Sequence, residues 1–427
     1  MAEGEDKMAD KENKKLQKQL VNGAPYGEKQ VDGTYKTKKK RSVWKTILLV
    51  LLAILILLIL VVGGYVIYVL AQYSRIEDNR VLNVNGENGD EAPVGEELTY
   101  TSYNIGFGAY SNEYSFFMDE GIMEDGSASV GEHARALSYE DCDINTQGSI
   151  DILRETDSDF IAVQEVDTAS ERSYHINQQE RIEEEFTDYY QTYAVNFHSA
   201  YLFYPFNEPI GTCNSGIETL SKYKIESAVR KSYTVSTGFD KLFDLDRCFS
   251  VNYIPTANGK YLVLINSHMS AYDEGGTIRN KQLQELNEFM LEEYDKGNYV
   301  ICGGDFNHDL LTFNPDAEGD YTTDNLPFGD AFTQQIPDWC SFMFDENGNC
   351  NFDSHFSVRA GENTPSLRGA DMAYEPGVTY VSSVDGFVFS DNVEFVSVLN
   401  TDVADNDTDK FAYADHQPAT LTFKLIA

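Results

Sequence analysis

Positive charge is scarce in this 427-residue chain: 32 Lys and Arg stand against 70 Asp and Glu, for a net of −38. The shortage is uneven. Residues 1–46 carry 12 Lys/Arg and 7 Asp/Glu, which leaves −43 on the remainder. A body that acidic repels polyanions over its general surface, which argues against a protein that grips DNA through its phosphates. A local cationic site would still suffice to recruit one small phosphate. Closely spaced cysteines are also missing. Cys142, Cys213, Cys248, Cys302, Cys340 and Cys350 form no CxxC pair, so zinc-ribbon and thioredoxin-type readings have no support. Cys302 sits in an apolar stretch and is expected to be a buried free thiol. Cys340 and Cys350 flank a short loop and would pair in an oxidising compartment. Internal repeats are absent.

One long apolar run is present. Ile47 to Leu70 holds no charged residue over 24 positions, enough for a helix to cross a hydrocarbon core of about 30 Å. It is too long for the apolar part of a cleaved signal peptide and lies too far from the N-terminus. Residues 43–72 are therefore expected to be a transmembrane helix. Lys38 to Arg41 and Lys45 precede it, and an acidic stretch follows. The positive-inside rule then puts residues 1–42 in the cytoplasm, as a disordered basic tail, and everything beyond about 72 outside. Residues 73–96, rich in Gly, Asn and acids, read as a flexible stalk. The expected location is the cell membrane, single-pass.

From Leu98 the chain becomes strand-rich. LTYTSYNIG (98–106) alternates with period two. SIDILRETDSD (149–159) reads as a helix feeding FIAVQEVD (160–167), a buried strand. NQQERIEEEFTDYY reads as a second helix. CFSVNYIPTANGKYLVLINSHMS reads as a hairpin through Asn258-Gly259, and IRNKQLQELNEFMLEEYDKG as an amphipathic helix ending at Gly297. YLFYPFNEPI (201–210) is expected to be a core strand and loop in preference to a lipid contact. Short strands with a few helices suggest two packed sheets flanked by helices.

The segment Tyr299-Val-Ile-Cys-Gly-Gly-Asp-Phe-Asn-His308 delivers Asp305 and Asn307 just past an apolar strand. In an extended chain, side chains at i and i+2 point the same way. A carboxylate that holds a hard cation or orients water, beside an amide that donates to phosphate, fits metal-assisted phosphate chemistry. Gly, Asp and Asn also form ordinary turns. What favours a site is company. Asn104, Glu165, His268, Asp305, Asn307, Asp385 and Asp415-His416 all lie at or just past the ends of apolar strands, and strand ends on one edge of a sandwich converge.

The order YNIG, QEVD, NSHM, GGDFN, VDGFVFS, ADHQP resembles the endonuclease/exonuclease/phosphatase superfamily, the group of DNase-I-like nucleases, neutral sphingomyelinases and inositol-polyphosphate phosphatases. The resemblance covers roughly residues 97–427 as one catalytic domain. It implies an α+β fold, a four-layered α/β/β/α sandwich. It also implies residue roles. Glu165 matches the carboxylate that binds catalytic Mg²⁺ or Mn²⁺, Asn104 an asparagine beside that metal, and Asp415 a metal-site carboxylate. Asp305 and Asn307 match the pair that orients the water and contacts the phosphate. His416 matches the histidine that hydrogen-bonds phosphate or transfers a proton, with Asp385 orienting it. His268 matches a second histidine that steadies the phosphorane charge or protonates the leaving group.

The chain departs from that pattern in places. Residues 106–147 read as an inserted loop or lid. The acidic partner of His268 has no clear match, Glu218 lying only in the right general region. His308 and Asp309 read as surface or supporting residues, and His133, His175, His198 and His355 match no motif. The function expected is a membrane-tethered, Mg²⁺-dependent phosphoesterase acting on a lipid head group or small phosphate ester, with no protein partner implied. The alternatives are an extracytoplasmic nuclease and a binding module with an inactive site.

Overall fold

The computed structural model describes residues 42–87, 89–238, 241, 244–271, 277–311, 332–337, 341–343, 352–403 and 410–427. The expected tail, apart from Ser42, and the expected Cys340–Cys350 pairing lie outside the described residues. The chain divides into two compact units, Met1–Ile67 and Tyr68–Ala427. Helix α1 runs Val43–Gln72 and is, among the described residues, the one helix long and apolar enough to cross a membrane. A helix suits that solvent because it satisfies its own backbone hydrogen bonds.

In the second unit, β1 is Arg80–Val81 and β2 is Glu97–Asn104, followed by a small hairpin, β3 (Glu120–Ile122) and β4 (Ala128–Val130). Helix α2 (Tyr139–Thr156) leads into β5 (Phe160–Asp167), and α3 (Gln178–Glu185) into β6 (Tyr190–His198). Next come β7 (Asn214–Ser221), β8 (Ser227–Ser232), β9 (Cys248–Pro255) and β10 (Tyr261–His268). Helix α4 (Thr277–Asp295) precedes β11 (Tyr299–Asp305), the short β12 (His308–Asp309) and β13 (Ser341–Phe342), and β14 (Phe356–Ala360). The chain closes with β15 (Leu367–Arg368), β16 (Val381–Ser382), β17 (Asp385–Ser390), β18 (Val393–Asn400) and β19 (Ala419–Leu425).

Two large sheets result, in the orders β18-β19-β2-β5-β7-β6 and β1-β8-β9-β10-β11-β17-β14. Their pairs are antiparallel except β2–β5 and β10–β11, each joined by a crossover that carries a helix, α2 and α4 respectively. The inner faces meet in one core that includes Tyr100, Phe160, Ile217, Leu421, Leu264, Ile301 and Phe387. Outside the first sheet, Ile150 and Leu153 of α2, Ile182 of α3 and Phe186 just past its end cover Ile161, Val163 and Leu220. Outside the second, Leu283, Leu286 and Met290 of α4 cover Val263, Ile265 and Val300. The layers are helix, sheet, sheet, helix, the sandwich expected from the sequence.

Period-two alternation explains where the polar strand ends go. In β10, Leu262 and Leu264 face the inter-sheet core, and the same face continues through Asn266 to His268. In β11 the series is Tyr299, Ile301, Gly303 and Asp305; in β17, read backwards, Phe389, Phe387 and Asp385. Each strand thus carries its apolar core residues inside and one polar residue at the rim. At Gly303 the two sheets approach so closely that a Cβ would lie 2.8 Å from the Tyr100 ring and 2.9 Å from that of Phe387. Glycine there is a packing requirement.

Four local expectations are corrected. Residues 73–96 are not a free stalk: Leu82 and Ala92 are buried, β1 pairs with β8, and backbone bridges join Asn85 to Gln191 and Ala92 to Thr256. Their polar composition hid a few apolar residues that dock on the core. Helix α2 starts inside the expected insertion, because Ser138 accepts the N–H of Asp141 at 3.0 Å and acidic residues fill the first turn. The first part of that insertion is packed, with Phe107, Tyr110 and Tyr114 buried together, while the β3–β4 hairpin is largely exposed. Of the two readings of His308 and Asp309, only the surface one falls: both are buried, His308 bonding the carbonyl of Phe306 at 2.7 Å and Asp309 the hydroxyl of Ser382 at 3.0 Å. The segment 201–210 is no core strand: Leu202 turns inward, but Phe203, Tyr204 and Phe206 stand exposed.

Candidate active site

Strand register builds one wall of the site. His268 is level with Asp305 across the parallel β10–β11 pair, and Asp305 with Asp385 across β11–β17. Cys248 is level with His268 on β9, so Arg247, just before it, reaches the same rim. The opposing sheet supplies Asn104 at the end of β2, Glu165 near the end of β5, and Asp415-His416 just before β19.

Glu165 is placed by a bulge. The β5–β7 register shifts between Val163 and Val166, and Glu165 adopts a left-handed backbone with φ 56°. Such a conformation costs an ordinary residue about 1–3 kcal/mol and concentrates at functional sites. Here it turns the carboxylate toward Asn104, whose Nδ2 lies 3.4 Å from Glu165 Oε1 and 3.1 Å from Asp305 Oδ2. The amide oxygen of Asn104 accepts the Gly106 N–H at 3.0 Å. Asn104 therefore presents its donor, not its oxygen, to the two carboxylates; it clamps them together and is not oriented as a cation ligand.

Asp305 is the hub. Besides Asn104, its Oδ2 lies 3.5 Å from His268 Nε2 and 3.8 Å from His416 Nε2, and its Oδ1 accepts the Asn307 N–H at 2.9 Å. Burial raises its carboxyl above the ordinary carboxylate range, while His416 pulls the other way. Asn307 has φ 49°, so the chain turns here and does not stay extended. The parallel i, i+2 arrangement expected from the sequence is replaced by a turn that Asn tolerates better than most residues. Its side-chain amide donates to the Met269 carbonyl at 2.9 Å, and its own carbonyl accepts Arg279 Nη1 at 2.6 Å.

The two histidines differ in charge. His416 Nδ1 donates to Asp385 Oδ2 at 2.7 Å. Burial alone would lower its pKa, but Asp385, Asp305 and Asp415 outweigh that and raise it to about 10. His416 is thus an imidazolium at neutral pH, with Nε2–H toward Asp305. His268 is neutral: burial, then the charge of Arg247, holds it well below 6.5. Arg247 Nη1 donates to His268 Nε2 at 2.5 Å, so that ring nitrogen is an acceptor and carries no proton to give. On this rim His268 Nε2 therefore offers a lone pair, and the Arg247 guanidinium beside it carries the positive charge. No motif pointed to Arg247; the available signal was a lone Arg directly before an apolar strand in a chain short of cations.

Glu218 is not the partner of His268. It shares the face of Leu220, under α3, where both its oxygens lack a partner among the described residues and burial raises its pKa well above 4.5. Asp415 faces the rim beside Gly106, and burial pushes its carboxyl up to about 6. Two residues beyond Glu165, buried Asp167 binds Arg172 through both oxygens, at 3.0 and 2.7 Å, and Arg172 lies 3.8 Å over the Phe107 ring. That pair ties the bulge to the packed insertion. His133, His198 and His355 lie outside the site: His133 Nδ1 is 3.8 Å from Glu208, while His198 bonds Asn214 and His355 bonds Asp391.

The sequence profile of the endonuclease/exonuclease/phosphatase family matches residues 101–351. The chain belongs to that family, whose members hydrolyse phosphoesters. The matched stretch ends before Asp385 and Asp415-His416, which sheet pairing brings to the same rim. Among solved structures, the chain is similar to an endonuclease/exonuclease/phosphatase from Beutenbergia cavernae (12% identity, TM-score 0.46, 78% of this chain and 72% of that one). It is similar to ANGEL2, a 2′,3′-cyclic phosphatase (13%, TM-score 0.48, 81% and 99%), and to truncated TDP2 of Caenorhabditis elegans (12%, TM-score 0.44, 78% and 99%). No curated protein matches at a significant level.

Proposed function

We propose that the chain is a membrane-anchored, Mg²⁺-dependent phosphoesterase in which Asp305 orients the attacking water. The observation that carries this is the position of Asp305, bonded by Asn104 and Asn307 and set between an imidazolium and an arginine-bound imidazole. A buried carboxylate so held accepts a proton from water without needing to move. His416 and Arg247 supply positive charge where a phosphorane would develop its own. His416, an imidazolium with its Nε2–H toward the rim, is suited to hydrogen-bond a phosphoryl oxygen or protonate the departing oxygen.

The rim also fits a hard cation. Glu165, Asp305, Asp385 and Asp415 bring four carboxyl groups and no sulfur, and Asp385 Oδ1 lacks a partner among the described residues. Among those residues no three His, Cys, Asp or Glu side chains form a ready cage. A cation held by Glu165, with Asp415 nearby, would complete its sphere with water and substrate oxygens, the habit of Mg²⁺. When bound it would polarise the phosphoryl group. The charge flanks of α1 favour a cytoplasmic N-terminus with the catalytic unit outside. The acidic composition favours a lipid head group or small ester over nucleic acid.

The test is hydrolysis by the full chain of a panel of phosphomonoesters and phosphodiesters, including sphingomyelin and supercoiled plasmid, with Mg²⁺, Mn²⁺, Ca²⁺ or EDTA. Turnover of a lipid or small ester that EDTA abolishes is expected. Plasmid nicking without turnover of either would overturn the substrate assignment.

A further inference from the structure

The chain leaves α1 at Gln72 and is fixed to the catalytic unit almost at once. Ile76 N–H donates to Asp246 Oδ2 at 2.6 Å, Arg75 Nε pairs with Asp246 Oδ1 at 2.9 Å, and Arg75 Nη2 bonds the Tyr233 carbonyl at 3.0 Å. The next residue is Arg247, which holds His268. Four residues reach at most about 14 Å. Leu82, Asn85 and Ala92 fix the chain that follows to the same unit. Connectivity alone therefore keeps the rim that bears the site near the end of α1.

A second feature projects from the same rim. Tyr73, Ser74 and Ile76 share a small cavity with Phe197, Ser199 and Ala200, at the end of β6. The loop that follows returns to β7, whose first residues pair with Val166 and Asp167, directly beyond Glu165. The Leu202–Gly211 bridge closes the loop. Outside that closure Phe203 is 49% exposed, Tyr204 63% and Phe206 84%. The loop is braced: Ala134 N–H donates to Glu208 Oε2 at 2.7 Å, Arg135 bonds the Pro209 carbonyl, and Phe117 packs on Tyr204 with ring centres 5.6 Å apart. Three large aromatic side chains held up in water mark a contact surface. Little ordering remains to be done on binding, which favours association.

We propose that Phe203, Tyr204 and Phe206 dip into the interface of the bilayer that α1 spans, so that the rim with Glu165, Asp305 and His416 rests on lipid head groups. The occupant follows from continuity with the anchor, since Tyr73, the residue directly after α1, shares its cavity with the end of β6 from which the loop departs. Aromatic rings settle at this depth in a membrane. The acidic unit gains nothing from anionic lipid, so the contact works on zwitterionic membranes. The inference deepens the phosphoesterase reading by making the substrate a phosphate ester at the membrane surface, and it rests on α1 being a retained anchor.

The test uses the full chain in phosphatidylcholine vesicles, in a Trp339→Phe background where Trp44 is the remaining native tryptophan. Phe206→Trp is compared with that background in vesicles with and without brominated acyl chains. The expected result is added, blue-shifted emission from position 206 that brominated lipid quenches about twofold or more. Added emission that is red-shifted and unquenched, with Trp44 quenched, overturns the proposal alone. Absence of quenching at both positions overturns the anchor reading and the proposal with it.

Discussion

Replacing Asp305 with Asn should lower kcat by about 10²–10⁴-fold, the range for loss of a positioned proton acceptor. The substitution is nearly isosteric. Its amide oxygen can still accept the Asn307 N–H now bonded at 2.9 Å, so the turn after β11 should survive. What is lost is the acceptor facing Asn104 Nδ2 and His416 Nε2. An amide NH₂ there meets two donors and cannot take a proton from water. KM should change much less than kcat, because substrate charge is met by His416 and Arg247. Steady-state kinetics together with a thermal melt close to that of the unsubstituted chain would establish this. An unchanged kcat would remove Asp305 from the chemistry and leave it a structural hub.

The largest stability effect is expected at Asp167. Removing it with Ala leaves Arg172 buried without its carboxylate, a change that typically costs about 3–5 kcal/mol. Arg172 Nε and Nη2 both bond Asp167, and Ser173 Oγ adds a third bond at 2.9 Å. The damage should also reach the site, since Asp167 follows the Glu165 bulge and Arg172 stacks on Phe107 at the start of the packed insertion. Replacing the pair together, Asp167→Leu with Arg172→Met, should recover most of the loss, because no buried charge remains. Urea unfolding followed by circular dichroism in detergent micelles reads both. A single Asp167→Ala variant as stable as the parent would show that Arg172 finds other partners.

Much of the sandwich and most of the rim could be read from the sequence, for a physical reason. Strands of two packed sheets alternate with period two, and a polar residue that continues an inward-facing apolar series marks the end where the core opens to solvent. Leu262, Leu264, Asn266 and His268 display that rule, as do Ile301, Gly303 and Asp305. What could not be read depended on tertiary contact. The bulge at Glu165 and the left-handed turn at Asn307 leave no pattern in composition. Arg247 belongs to no motif, and its effect, setting which nitrogen of His268 is bare, exists only once β9 lies beside β10. The acidic run 73–96 looks like solvent-loving linker until Leu82 and Ala92 find the core. The aromatic segment 201–210 looks like core until a bridge at its base turns three rings outward.

The central claim is that this rim directs water to phosphorus. The most direct measurement is hydrolysis of the best substrate in ¹⁸O-labelled water with Mg²⁺, followed by mass spectrometry of both products. One ¹⁸O atom in the phosphate-bearing product, none in the released alcohol, and loss of this labelled product in Asp305→Asn is the result expected. Label in the alcohol, or labelled phosphate formed equally fast by Asp305→Asn, would contradict it.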